Sequence, residues 1–110
     1  IHASALIDEA GKVIATREDV GRHNALDKLL GHSIQNGLLD PKVQFIACSG
    51  RLNFELVQKG LMANIGIMAG VGAPTSLAVD LAKRFDMTLL GFVKESGFNI
   101  YSNKDRIILG

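Results

Sequence analysis

Three apolar runs, at 43–48, 67–71 and 87–93, end in polar or glycine-bearing turns, with helically spaced stretches between the runs. Short runs without polar alternation are the pattern of strands buried on both faces, and helical crossovers between them make the strands parallel. Right-handed crossovers then predict an α/β domain, a mixed sheet in a three-layer α/β/α arrangement with helices on both faces. The carboxyl ends of parallel strands line one edge, where open α/β folds bind their ligands.

The remaining elements follow from local patterns. Apolar segments at 5–7 and 13–15 flank Asp8-Glu9-Ala10-Gly11 and predict an antiparallel strand pair. From Gly21 the period changes: Leu26, Leu29, Leu30 and Ile34 mark one helix face, and Asn36-Gly37 supplies a left-handed stop. Phe54, Val57, Leu61 and Ile65 mark a second helix with Asn53 as its N-cap. A third is expected over 75–85, with Ala78, Leu81, Ala82 and Phe85 on one face and Pro74 or Thr75 at its start. Residues 98–101 form a short β-prone stretch, and 106–109 suggest a further edge segment. The 110 residues therefore read as one α/β domain.

Composition narrows the function classes. Twelve Lys and Arg against eleven Asp and Glu leave no polybasic field, and five Phe and one Tyr lie scattered without basic interleaving, which argues against a nucleic-acid partner. No apolar stretch approaches the roughly 20 residues a membrane span needs. A single cysteine, Cys48, cannot form an internal disulfide, which favours a reducing, cytoplasmic setting.

Three loops converge at the predicted ligand edge: Ser49-Gly50-Arg51, Gly72-Ala73-Pro74-Thr75-Ser76, and Lys94-Glu95-Ser96-Gly97. They offer an arginine fork, a lysine, hydroxyls and close-approach glycines, an inventory suited to a phosphate-bearing ligand. Helix N-termini behind the first two loops add N–H groups, those near Gly50 and Thr75 among them. The alternative is that the glycines only turn the chain and that Arg51 pairs with an acid such as Glu55.

The segment Arg17-Glu18-Asp19-Val20-Gly21-Arg22-His23-Asn24-Ala25-Leu26-Asp27-Lys28 is dense in functional groups at a strand-to-helix junction. In one reading, Asp19, Arg22, His23 and Asn24 shape a ligand wall; in the other, Asp19 caps the helix, Asp27 and Lys28 are solvated, and His23 is a half-exposed first-turn residue. His32 reads as structural. The opening His2-Ala3 invites comparison with zinc deaminases, but Ser4 stands where the acid belongs and one thiol cannot complete the ligand set, so no metal site is expected. Cys48 closes an apolar strand and reads as a small hydrophobe rather than a nucleophile.

Read together, the 17–28 segment, Ser49-Gly50-Arg51 with Phe54-Glu55, and Ala73-Pro74-Thr75-Ser76-Leu77-Ala78-Val79 resemble the formate dehydrogenase accessory sulfurtransferase family, FdhD, over nearly the whole chain. The resemblance implies a cytidine-deaminase-like domain without deaminase chemistry, in a cytoplasmic homodimer. It further implies transfer of persulfide sulfur from a cysteine desulfurase to the molybdenum (or tungsten) bis-molybdopterin guanine dinucleotide cofactor of formate dehydrogenase. The family's sulfur-carrying Cys-x-x-Cys loop is absent, and Cys48 does not match it. The chain thus looks like the C-terminal, cofactor-binding portion of a longer protein, with no catalytic residue of its own. In the family, the segment matching Phe92-Val93-Lys94-Glu95-Ser96-Gly97 contributes to cofactor binding, for which GDP is a partial mimic. Relatives often carry an extra basic residue there, so Glu95 and Gly97 shift weight to Lys94 and Arg51. An independent enzyme using His23 and Asp19 as an acid–base pair, and a dimerisation and docking domain, are the alternatives.

Overall fold

A computed structural model describes residues 1–94 and 97–103. Six strands and three helices follow one another as β1 (His2–Asp8), β2 (Val13–Asp19), α1 (Arg22–Gln35), β3 (Gln44–Cys48), α2 (Phe54–Met62), β4 (Ile67–Gly70), α3 (Ser76–Arg84), β5 (Thr88–Lys94) and β6 (Gly97–Ser102). They form one sheet in the order β2-β1-β3-β4-β5-β6. β3, β4 and β5 run parallel, whereas β1 is antiparallel to both β2 and β3, and β6 is antiparallel to β5. The α/β class and the mixed sheet are as the sequence predicts, and the 98–101 stretch lies in edge strand β6. The segment expected at 106–109 lies outside the described residues.

Local chemistry explains the boundaries. The β1–β2 turn closes on Asp8, whose Oδ1 accepts from the N–H groups of Ala10 at 3.0 Å and Lys12 at 2.9 Å, while Gly11 takes φ of +83°. Helix α1 stops where Gly37 adopts φ of +64° and the N–H groups of Gly37 and Leu38 reach back to the carbonyls of Ile34 and Ser33, a Schellman arrangement. Asn53 caps α2 by accepting from Leu56 N–H at 2.9 Å, and Thr75 caps α3 by accepting from Ala78 N–H at 3.2 Å.

The core lies on one face of the sheet. Ala15, Leu6, Ile46, Met68 and Leu89 are directly paired neighbours across β2, β1, β3, β4 and β5, and all are buried. They join one hydrophobic cluster with Leu26 and Leu29 of α1, Leu56 and Val57 of α2, and Ala78 and Ala82 of α3. Burying each large aliphatic side chain contributes about 1.5–3 kcal/mol. The helices lie side by side on this face: Lys59 Nζ of α2 bonds Asp27 Oδ2 of α1 at 2.9 Å, and α2 packs on α3.

Among the described residues, all three helices thus lie on one face of the sheet. The β2–β3, β3–β4 and β4–β5 connections all step the same way across the sheet, and right-handed crossovers in one direction lay their helices on one side. Three helix-face expectations also change. Ile34, in the last turn of α1, and Phe85, the C-cap of α3, are both exposed. Ile65 follows α2 rather than ending it, and is buried.

Candidate functional site at the carboxyl edge

The loops after β3 and β4 lock together at the carboxyl edge. Arg51 Nε donates to the Ala73 carbonyl at 2.8 Å, and Thr75 N–H donates to the Leu52 carbonyl at 3.0 Å. Two glycines make this approach possible. A Cβ on Gly72 would stand 2.8 Å from Arg51 Cγ, and one on Gly70 would stand 2.9 Å from the Gly50 carbonyl oxygen. The arginine stem thus lies flat over Gly72. Its side chain is exposed, and among the described residues its two Nη nitrogens make no hydrogen bond, so their four N–H donors face solvent. Arg51 does not pair with Glu55.

The antiparallel register of β1 on β3 brings in a residue the sequence reading missed as a site group. Ser49 N–H donates to the Ala3 carbonyl at 2.9 Å and Ser49 Oγ accepts from Ala3 N–H at 2.8 Å, which seats the start of β1 beside the 49–51 loop. His2 Nδ1 lies 3.4 Å, and Arg22 Cδ 3.9 Å, from the position of a Cβ on Gly50. His2 and Arg22 accordingly flank the Gly50 backbone. Only the β1–β3 pairing shows this, because the two segments are more than forty residues apart.

In the 17–28 segment His23 is a half-exposed first-turn residue of α1, while the expected helix cap is not made by Asp19. The N-cap is Gly21, which has no capping side chain. Asp19 instead accepts from Gly21 N–H at 3.0 Å and pairs with Lys28 Nζ at 2.6 Å. The backbone bond from Gly21 and then the Lys28 contact lower its pKa to about 2. Asp27 and Lys28 are exposed but paired, with Lys59 and Asp19 respectively. His23 leans towards α2, not Asp19: its Nε2 lies 3.3 Å from Asn53 Nδ2, and its Nδ1 is 3.8 Å from Glu55 Oε2. That second contact exceeds hydrogen-bond reach, and Nδ1 is buried without a partner. Asn53, the cap of α2, is thus also the neighbour that sets the His23 ring. Asn24 is exposed beside Asp19, close to Gly21.

Several predicted donors are already engaged. Ser49 and Thr75 spend their backbone N–H groups and accept on their hydroxyls within the fold. Gly50 N–H, Arg51 N–H and the exposed Ser76 hydroxyl have no partner among the described residues. At the end of β5, Phe92 takes φ of +51° within an irregularity of the β5–β6 pairing, and its N–H approaches the Gly72 carbonyl at 3.4 Å. Left-handed backbone on a bulky residue is strained, and here it falls where the β5 backbone meets Gly72; Phe92 and Val93 are both exposed. Gly97 begins β6. Glu95, Ser96 and the side chain of Lys94 lie outside the described residues. Cavities of about 300 and 440 Å³ lie at the opposite edge, lined by Asn64 and Gly66 among others. Among the described residues, no group of His, Cys, Asp and Glu could hold a metal. Burial pushes the Cys48 thiol up, and its sulfur lies 3.5 Å from Ser4 Oγ, the setting of a packed side chain.

The model of the FdhD/NarQ family matches residues 1–108. The chain belongs to that family. Among curated proteins it is 50% identical to the sulfur carrier protein FdhD of Streptomyces coelicolor over 109 residues, 99% of this chain and 39% of that protein. It is 45% identical to the sulfur carrier protein FdhD of Sulfurisphaera tokodaii over 108 residues, covering 98% of this chain and 42% of that one. A crystal structure described as a formate dehydrogenase accessory protein from Desulfotalea psychrophila superposes with a TM-score of 0.89 at 34% identity, covering 97% of this chain and 45% of the other. The chain thus spans about two fifths of the length of these FdhD relatives. Among the described residues, no helix is long and apolar enough to cross a membrane.

Proposed function

We propose that this FdhD unit binds the guanine dinucleotide end of the molybdenum bis-molybdopterin cofactor, within a cytoplasmic homodimeric sulfur carrier that serves formate dehydrogenase. Sulfur reaches that carrier from a cysteine desulfurase, and the bound metal centre is its acceptor. The observation that carries the reading is Arg51, fixed through Nε on the Ala73 carbonyl at 2.8 Å with its outer nitrogens free. A pre-oriented fork loses little side-chain freedom on meeting a phosphate, and the unpartnered N–H groups of Gly50 and Arg51 lie in the same loop. Gly72, whose Cβ would displace the arginine, keeps this cradle open. His2 and Arg22 add positive or polar groups on the β1 side, the Ser76 hydroxyl and Lys94 are further phosphate partners, and Phe92 offers an apolar wall.

The unit does not carry sulfur itself. Its one cysteine is buried, with a thiol harder to ionise than usual, so the persulfide belongs to another part of the carrier. An independent enzyme built on His23 and Asp19 is disfavoured, because His23 turns to Asn53 and Glu55 while Asp19 is held by Gly21 and Lys28. Calorimetric titration of the purified chain with GDP, and with ADP as control, tests the proposal. Selective GDP binding is expected; no heat with either nucleotide, or equal affinity for both, removes the guanine dinucleotide site from this unit.

A further inference from the structure

A phosphate cradle at Arg51 holds GDP and ADP alike, so a preference for guanine needs a second group that reads the base. Guanine carries two adjacent donors on its Watson–Crick edge, N1–H and the 2-amino group, where adenine has an acceptor at N1 and no 2-amino group. A carboxylate accepts from both guanine donors at once and finds no such pair on adenine. Among the described residues at the carboxyl edge, Asp19 is already held by Gly21 N–H and Lys28. Glu18, one strand position earlier, points to the sheet face away from the helices. Glu55, in the first turn of α2, is 70% exposed and accepts no hydrogen bond among the described residues.

Asn53 and His23 hold a donor towards that carboxylate. Asn53 Oδ1 accepts from Leu56 N–H at 2.9 Å, so the amide nitrogen is the atom that faces His23 Nε2 at 3.3 Å, and it can only donate. Nε2 is therefore an acceptor, and the neutral ring carries its proton on Nδ1. That nitrogen is buried without a partner, and Glu55 Oε2 stands 3.8 Å from it. A movement of roughly 1 Å brings the two within hydrogen-bond reach, which satisfies the orphaned donor and fixes the carboxylate. A carboxylate has about four acceptor sites, enough for Nδ1–H and both guanine donors. Arg51 and Glu55 are four residues apart, so their Cα atoms lie at most roughly 14 Å from each other, and both side chains are exposed where α2 starts. A nucleoside diphosphate with its terminal phosphate on Arg51 can set its base at Glu55. We propose that Glu55 reads the guanine base, oriented by the Asn53–His23 pair; the assignment rests on the guanine dinucleotide site proposed above and names the group that makes it selective.

The test is calorimetry on the 110-residue chain and on Glu55→Gln, which keeps the side-chain size at an exposed position and so leaves the melting temperature unchanged. Each protein is titrated with GDP, ADP and xanthosine diphosphate, whose base has a carbonyl where guanine has its 2-amino group. The parent is expected to prefer GDP. In Glu55→Gln, GDP affinity is expected to fall roughly 5- to 150-fold while ADP affinity is not reduced. Xanthosine diphosphate should bind the variant more tightly than the parent, because an amide donor then meets the new carbonyl. A variant that keeps the parent's GDP-to-ADP ratio, or that loses both nucleotides equally, overturns the assignment of Glu55 and leaves the guanine dinucleotide site standing. A parent with no preference for GDP overturns the assignment together with the site it rests on.

Discussion

Arg51 Nε and the Ala73 carbonyl oxygen, 2.8 Å apart, tie the loop after β3 to the loop after β4 and aim a guanidinium along the carboxyl edge. Arg51→Ala should weaken GDP binding by about 1.5–3 kcal/mol, roughly 10- to 150-fold, if the fork makes charge-assisted bonds to phosphate. Arg51→Lys should recover only part of this, because an ammonium cannot both hold Ala73 and bind bidentately. Calorimetry on the two variants checks both; affinity equal to the parent in Arg51→Ala would take the residue out of the site.

Gly70→Ala should strain the same edge from beneath. Its Cβ would meet the Gly50 carbonyl oxygen at 2.9 Å and Leu52 Cγ at 3.1 Å, and a backbone atom cannot swing aside as a flexible side-chain tip can. Overpacking of this kind costs about 1–3 kcal/mol. Thermal unfolding should show it as a fall of roughly 4–8 °C per kcal/mol. A parent-like melting temperature would mean that the loop yields freely.

Asp19 predicts an acid-limb effect. Its folded pKa, about 2, lies below the ordinary 3.8 through the Gly21 N–H and Lys28. A depressed carboxylate stabilises the fold fully above its unfolded pKa, and the contribution disappears as pH falls through the folded value. Stability should therefore decline between about pH 4 and pH 2 through this group, and Asp19→Asn should flatten that part of the profile. Denaturant unfolding at stepped pH measures it; identical slopes in parent and variant would contradict the assignment.

Asn53 has two separable roles. Asn53→Ala removes the α2 cap and should destabilise by about 1 kcal/mol. Asn53→Asp keeps an oxygen for the Leu56 N–H but loses the amide donor that faces His23 Nε2 at 3.3 Å. That variant should retain parent stability while shifting the His23 ring-nitrogen NMR signals. Unmoved signals would separate Asn53 from His23.

Much of this architecture is legible in the residues because local chemistry decides it. Asp8 and Gly11 make the hairpin turn, Asn36-Gly37 makes the helix stop, and Asn53 and Thr75 cap the helices the periodicity marks. The three apolar runs become β3, β4 and β5, and their ends assemble the edge that holds Arg51. What the pattern hides is long-range. His2 joins the edge only through the β1–β3 register, and the His23–Asn53 contact only through packing of α1 beside α2. Apolarity at Ala47 and Ala69 says that a face is buried or waiting to be, but not that all three helices take the other side. That follows from the direction of every crossover, which strand order alone reveals. Asp19 looked like a cap because Asp precedes many helices; Val20 and Gly21 intervene, and its carboxylate turns to Gly21 and Lys28 instead.

The most direct test of the account is an amide-resolved NMR titration of the 110-residue chain with GDP, because it reports where the nucleotide lies as well as whether it binds. Saturable shifts clustered at Gly50, Arg51, Gly72 and Ser76 are the predicted result. Shifts confined to the opposite edge around Lys42, Asn64 and Gly66, or no shift at saturating nucleotide, would contradict it.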